Sequence, residues 1–382
     1  MNKYSFLPTL VMIITLTPMS EASSICQNHL RERVAPRVNE CNHLRERVAP
    51  RVNECNHLRK RVVLTNPSET TLIAEPITLK TPTATLYGTL ELPQSRSPVP
   101  VVLIIAGSGP TDRDGNSPLL PGANNSLKLL AEGLAAHGIA SVRYDKRGVG
   151  ETGKAMQVAA EKTQTVLREE DLRFETYIDD AVAWGKQLGA DRRFSTLTVL
   201  GHSEGSLIGM VAAQRMGALA YVSVAGAGRT VQQIILEQVR PQLSPDLMKA
   251  TEDILDQLAA GKTVESVPSA LNMLFRPSVQ PYMISWLRYD PAKEITKLHI
   301  PVLIAQGTTD IQVSLQDPKA LAGANPAATL LLIDGMNHVL KTVPSERDKQ
   351  IASYSDPTLP VAPGLIDGIS SFVIKAKAQS PR

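Results

Sequence analysis

Residues 199–206 read Val199-Leu200-Gly201-His202-Ser203-Glu204-Gly205-Ser206, and the fold is decided by how this stretch is read. The apolar run Leu197 to Leu200 suits a buried strand. It breaks at Gly201-His202-Ser203-Glu204-Gly205 and resumes as a helical pattern from Ser206 to Met216. A strand, a sharp turn and a helix with G-x-S-x-G at the turn hold a serine hydroxyl clear of the sheet edge. Glycines two positions to either side let strand and helix approach without a Cβ clash. The Glu204 N–H falls at the helix start, where unpaired N–H groups favour developing negative charge. The pattern alone fits a glycine-rich turn with a chance serine equally well, so its context must decide.

Outward from this turn, strands and helices alternate. Ile77–Lys80 and Leu86–Leu92 read as a hairpin, and Val99 to Ile105 as a continuous apolar strand ending in a Gly-rich loop. A helix over Ser126 to His137 precedes a strand over Ile139 to Arg143, and a helix over Asp171 to Leu188 leads to the serine strand. Ala220 to Val224 is a further strand. Residues 229–291 then show only amphipathic helical stretches, which implies a helical insertion. The strand rhythm resumes at Pro301–Ala305 and Thr329–Ile333, and a helix near Ile366 to Ala376 closes the chain. Such alternation gives a mainly parallel sheet covered by helices on both faces, with sites at the carboxyl ends of the strands.

A serine nucleophile needs a base, and the base needs an orienting carboxylate. Two later strand ends supply them: Gln306-Gly307-Thr308-Thr309-Asp310 and Asp334-Gly335-Met336-Asn337-His338. Asp310 and His338 can therefore converge on Ser203, in the chain order Ser, Asp, His. Each has a plain alternative, Asp310 as a turn former and His338 as a loop histidine. Asp334 is a rival acid, but it shares the loop of the proposed base. His202 adjoins the serine on the strand side, so its ring should point away from the hydroxyl and serve packing or support.

At these residues the chain from about Thr71 onward resembles the α/β-hydrolase superfamily. Gly107-Ser108-Gly109-Pro110-Thr111-Asp112-Arg113-Asp114-Gly115-Asn116 and Arg143-Tyr144-Asp145-Lys146-Arg147-Gly148 are similar to bacterial esterases of the dienelactone-hydrolase-like and serine-aminopeptidase-like group. Arg276–Tyr282 with Asp290-Pro291 resembles the end of that group's helical cap. The resemblance implies an α/β-hydrolase fold with a helical cap over about 229–291. It also implies a second oxyanion donor in the loop after Ile105, at the Ser108 N–H with Gly109 as the near alternative. Asp112, Arg113 and Asp114 would brace that loop by ion pairing with Arg147, or would be solvated loop charge.

Composition sets the remaining bounds. The net charge of +3 is local: residues 27–61 carry nine Lys and Arg against four Glu, while residues 62–382 sum to −2. The body therefore shows no nucleic-acid surface. Cys26, Cys41 and Cys55 all precede it, so it has no disulfide framework and no thiolate metal site. Lys3, the apolar run Leu7 to Leu16 and Ser20-Glu21-Ala22 read as a secretory signal over 1–22, an uncleaved anchor being the runner-up and a lipoprotein site at Cys26 the weaker option. Asn28 to Cys41 recurs letter for letter as Asn42 to Cys55, and a third copy decays after Val62. Pro36 and Pro50 interrupt the units, so residues 23–66 read as a basic, unstructured extension rather than a solenoid or a metal site.

These readings describe an exported serine esterase, periplasmic or secreted, with its hydrolase domain over 67–382. It would use Ser203, Asp310 and His338, hold the oxyanion on the Ser108 and Glu204 N–H groups, and need no metal or organic cofactor. Its partner is a small-molecule ester of short to medium acyl length, with no nucleic acid and no stable membrane insertion after signal cleavage. An aminopeptidase or thioesterase would use the same machinery. The aminopeptidase would need a cap carboxylate for the substrate amine, for which Glu237, Asp253 and Asp256 are available. A non-catalytic binding protein on a hydrolase scaffold is the remaining reading. Met273 and Phe275 are the expected apolar lining of an acyl pocket.

Overall fold

The computed structural model describes residues 72–162 and 166–379. The expected signal segment over 1–22 and the repeat extension over 23–66 lie outside the described residues. Eight strands form one sheet: β1 (Ile73–Thr81), β2 (Ala84–Leu92), β3 (Val99–Ile105), β4 (Ala140–Tyr144), β5 (Phe194–His202), β6 (Ala220–Val224), β7 (Val302–Gly307) and β8 (Thr329–Ile333). Their spatial order is β1-β2-β4-β3-β5-β6-β7-β8. The β1–β2 hairpin is antiparallel and β2 pairs antiparallel with β4, while every pairing from β4 to β8 is parallel. This is the mainly parallel sheet expected from the alternating pattern, and it fits the α/β-hydrolase fold that the resemblance implies.

The continuous apolar reading of β3 follows from burial on both faces. Val101, Leu103 and Ile105 enter a core with Trp184, Ile208 and Tyr221. Val102 and Ile104 enter a second core with Leu127, Leu130, Leu134 and Ile369. The period-2 alternation of a strand sends successive side chains into these two layers. The helices covering them include α1 (Ser126–Ala136), α3 (Phe174–Gly189) and α4 (Glu204–Met216), while α2 (Gly150–Glu161) lies against β2.

Between β6 and β7 come only helices: α5 (Val231–Val239), α6 (Pro245–Ala259), α7 (Asn272–Phe275), α8 (Gln280–Trp286) and α9 (Pro291–Ile295). Local chemistry sets their starts. Thr230 and Gln233 form a capping box on α5, and Ser244 caps α6 ahead of Pro245. Ile235, Leu255, Leu258, Phe275 and Tyr282 are buried in the same core as the body's β3–α3–α4 layer, so the insertion packs on the sheet. Phe174 of α3 stacks on Trp286 of α8 with ring centroids 5.7 Å apart. The chain closes with α10 (Gln316–Ala324), α11 (Arg347–Ser353) and α12 (Pro363–Gln379).

Two local expectations need correction. Helix α2 had no counterpart in the sequence reading, because Gly150 and Gly153 weaken it and only Thr152 and Met156 are buried along it. Phe275 is fully buried in the core and Met273 is 43% exposed; neither belongs to the lining of the cavity at Ser203. Their places there are taken by Val231, Ile234 and Trp286. No described helix is long and apolar enough to cross a membrane.

Candidate active site

Ser203 sits between β5 and α4 with φ 55° and ψ −122°, a region that a non-glycine residue enters only at a cost of about 1–3 kcal/mol. The flanking glycines make the turn possible. A Cβ on Gly201 would lie 2.0 Å from the Gly205 carbonyl oxygen, and one on Gly205 would lie 2.3 Å from the Ile105 oxygen. The Ser203 N–H is tied to the Val224 carbonyl at 3.0 Å. Its hydroxyl makes no hydrogen bond with the described residues and opens into two small chambers, of about 40 and 30 Å³, that meet at the serine. Ser108 and Glu204 face the first with Leu207, Val231, Ile234 and Trp286. His338 and His202 face the second, with Asn124 and Tyr354.

His338 Nδ1 is 2.9 Å from Asp310 Oδ2, and both side chains are buried. Gln306 Nε2 donates to the same oxygen at 3.0 Å, and the Gln312 and Val313 N–H groups donate to Oδ1 at 2.8 and 3.0 Å. Burial pushes the Asp310 carboxyl up. The His338 ring and these donors outweigh it and leave the group below its ordinary range, so it stands as a carboxylate. Its contact on Nδ1 leaves His338 Nε2 for the serine side. Asp334 is exposed and, among the described residues, accepts only from Thr308, at 2.9 Å. His202 donates from Nε2 to the His338 carbonyl at 2.9 Å, with the two rings 4.9 Å apart. Burial and then the neighbouring His338 ring push His202 down to about 3, so it is a neutral support for His338.

The loop after β3 crosses directly against the serine, since a Cβ on Gly107 would lie 3.1 Å from Ser203 Cβ. Thr111 donates to the Ser108 carbonyl at 2.8 Å. Asp112 holds the Asp114 and Asn116 N–H groups at 2.9 and 2.8 Å. The expected bracing by Arg147 is not what forms. Arg113 pairs with Asp145 and Glu151 at 2.8 and 2.7 Å, and Asp114 pairs with Arg143 at 2.8 Å. Arg147 turns instead to Asp180 of α3 at 2.7 Å, with Thr81 and Thr83 beyond it. Asp180 is buried, and an unpaired carboxylate there would be far costlier than solvated loop charge.

Three side chains beyond those expected from sequence shape the site. Lys146, at the end of β4, is 2.5 Å from the Gly107 carbonyl oxygen and 2.9 Å from Glu204 Oε2. Tyr282 of α8 donates to Glu204 Oε1 at 2.6 Å. Burial, and then the Glu204 carboxylate, push the Tyr282 phenol well above its usual range, so it keeps its proton. Asp317, fully buried, accepts from the Gly228 N–H at 3.0 Å and from the Arg229 guanidinium at 2.8 Å, anchoring the start of the insertion. A charged residue at a parallel strand's carboxyl end was the legible signal for Lys146. For Asp317 and Tyr282 no local signal exists.

None of the three cap carboxylates considered for an amine site faces these chambers. Glu237 pairs with Arg229, Asp253 with Lys249, and Asp256 accepts from Gln232 at 2.8 Å. Among the described residues, no group of three or more His, Cys, Asp or Glu is arranged to hold a metal ion.

Comparison with known proteins agrees with this geometry at the level of fold and family. A family model described as serine aminopeptidase, S33, matches residues 123–342, more than half of the chain and a span containing Ser203, Asp310 and His338. Esterase EstD of Thermotoga maritima is 29% identical over 259 residues, 67% of this chain. The match spans 58% of that relative's length. The structure of ferulic acid bound to Est1E from Butyrivibrio proteoclasticus aligns with a TM-score of 0.51 at 16% identity. It covers 79% of this chain and 100% of that one, a likeness of fold.

Proposed function

The chain belongs to the serine aminopeptidase S33 family, and from that premise we propose that it is a serine hydrolase of carboxylic esters with short acyl groups. The observation that carries the reading is Ser203, held at φ 55° and facing the second chamber together with a His338 that Asp310 clamps at 2.9 Å. In this reading Ser203 Oγ attacks the ester carbonyl while His338 Nε2 takes its proton. The tetrahedral oxyanion lies on the N–H groups of Ser108 and Glu204. As it collapses, the C–O bond to the alcohol breaks and His338 returns the proton to the leaving oxygen. A water then repeats the sequence on the acyl-enzyme and releases the acid. Asp310 holds the imidazole tautomer and stabilises its cation.

Esters are favoured over peptide substrates by the charge around the chambers. An aminopeptidase must hold a free ammonium, yet the carboxylate of Glu204, the acidic residue among the described ones lining the first chamber, is already engaged by Lys146 and Tyr282. The insertion acts as the cap, and its Val231, Ile234 and Trp286 leave only about 40 Å³ beside the serine, which supports short acyl groups. The N-terminal charge and apolar run support export to the periplasm or beyond. The test is a panel of p-nitrophenyl esters from acetate to decanoate beside aminoacyl p-nitroanilides. Turnover should be highest on the short esters, fall with chain length and be negligible on the anilides. Anilide turnover exceeding ester turnover would contradict the assignment.

A further inference from the structure

The carboxyl ends of β4, β3 and β5 lie side by side in the sheet, and one side chain bridges all three. Lys146 leaves the end of β4, reaches the Gly107 carbonyl after β3, and ends on the carboxylate of Glu204 after β5. It is 1% exposed, and its ammonium also lies 5.4 Å from the centre of the Tyr177 ring. Resting on the reading of the Ser108 and Glu204 N–H groups as the oxyanion donors, we propose that Lys146 is a positioning residue that aims both.

The Gly107 carbonyl and the Ser108 N–H belong to one planar trans peptide, so they point in opposite directions and fixing one fixes the other. A donor 2.5 Å from the carbonyl therefore holds the N–H toward the serine chamber, and it polarises that N–H through the peptide. On the other side, Glu204 supplies its own N–H to the same oxyanion. Glu204 is the one acidic residue among the described residues lining the first chamber, and its carboxylate, left unpaired so near, would oppose the developing negative charge. Lys146 neutralises it at 2.9 Å, and Tyr282 takes the second oxygen at 2.6 Å. One cation thus sets the direction of one donor and the charge beside the other. Tyr282 extends the brace into the insertion, so the insertion and the proposed oxyanion site are joined through Glu204.

A purely structural ion pair would affect folding but not the turnover of molecules that fold. The decisive comparison is Glu204→Gln against Lys146→Met combined with Glu204→Gln. The double variant removes both buried charges together and keeps an acceptor for Tyr282, and relative to the single variant it lacks the Lys146 ammonium and with it the donor on Gly107. Rates on p-nitrophenyl acetate are divided by active sites titrated with a fluorophosphonate. The double variant should show kcat lower by about 10- to 100-fold than Glu204→Gln, short of the 10²–10³ for a deleted donor, with KM within about threefold. A trifluoromethyl ketone, which adds to the serine as an oxyanion, should lose affinity by the same factor. Should the double variant not melt cooperatively, Lys146→Gln, whose shorter neutral arm leaves Glu204 a donor and withdraws the one on Gly107, is held to the same criterion. Equal kcat per titrated site and equal ketone affinity would overturn the proposal while leaving the esterase reading intact. A wild-type protein that neither titrates nor turns over would overturn both.

Discussion

Asp310 and Asp334 end neighbouring strand loops in one sheet, and only their surroundings separate them. Asp310 is buried, holds His338 and accepts two N–H groups; Asp334 is exposed and touches one threonine. Asp310→Asn should therefore lower kcat on a short ester by about 10³- to 10⁴-fold, whereas Asp334→Asn should stay within about threefold, as steady-state rates will show. His202 leads to a prediction on pH. It titrates near 6.5 when unfolded and is pushed to about 3 in the fold. Between these values the unfolded chain binds the extra proton, so stability falls as pH drops from about 6.5, by up to about 1.4 kcal/mol per pH unit. Asp310, depressed in the fold, adds to that loss only below about 3.8, as pH falls through its folded value. Denaturant unfolding at pH 6.5 and pH 5 should show this acid slope, and His202→Gln should flatten it by one proton. Strand ends and residue order made Asp310 and His338 readable as a pair. The sequence does not show which carboxylate an arginine will choose, and Arg147 went to Asp180 because a buried carboxylate is the more demanding partner.

At the scale of elements, the turn around Ser203 and the strands β3, β5 and β7 were legible because buried parallel strands are written as apolar runs. Helix α2, with two glycines and two buried residues, carries no such pattern. The helical insertion was legible as helices but not in its orientation. An amphipathic face says that something is buried, not whether it meets the body or a substrate, and Phe275 and Ile234 look alike in sequence. The structure separates them: Ile234 faces the chamber at Ser203, while Phe275 is core and Met273 is exposed. Enlarging Ile234 to Phe should move the ester chain-length optimum toward acetate. A methylene in such a pocket is worth about 1–3 kcal/mol, so the profile should shift by roughly 10-fold or more per step. Met273→Phe should leave the profile unchanged. A shift at Met273 with none at Ile234 would move the acyl site away from the first chamber.

At the scale of the whole molecule, the eight described strands and the candidate site, built from described residues between 72 and 379, already form a sheet with two buried cores. A chain beginning at Thr70 should therefore fold cooperatively and hydrolyse short esters at the full-length rate, which thermal melting and steady-state assay will check. A large drop in either would show that the repeat-bearing segment contributes to the body. The sheet brings together residues as distant in sequence as Gly107, Lys146, Ser203, Asp310 and His338, and the proposed chemistry requires that they act on one serine. The most direct test is to quench the protein during turnover of p-nitrophenyl acetate and map the modified peptide by mass spectrometry. An acetyl group on Ser203, absent from Ser203→Ala along with at least about 10³-fold of the rate, is the predicted result. An acetyl group on another residue, or undiminished turnover by Ser203→Ala, would contradict it.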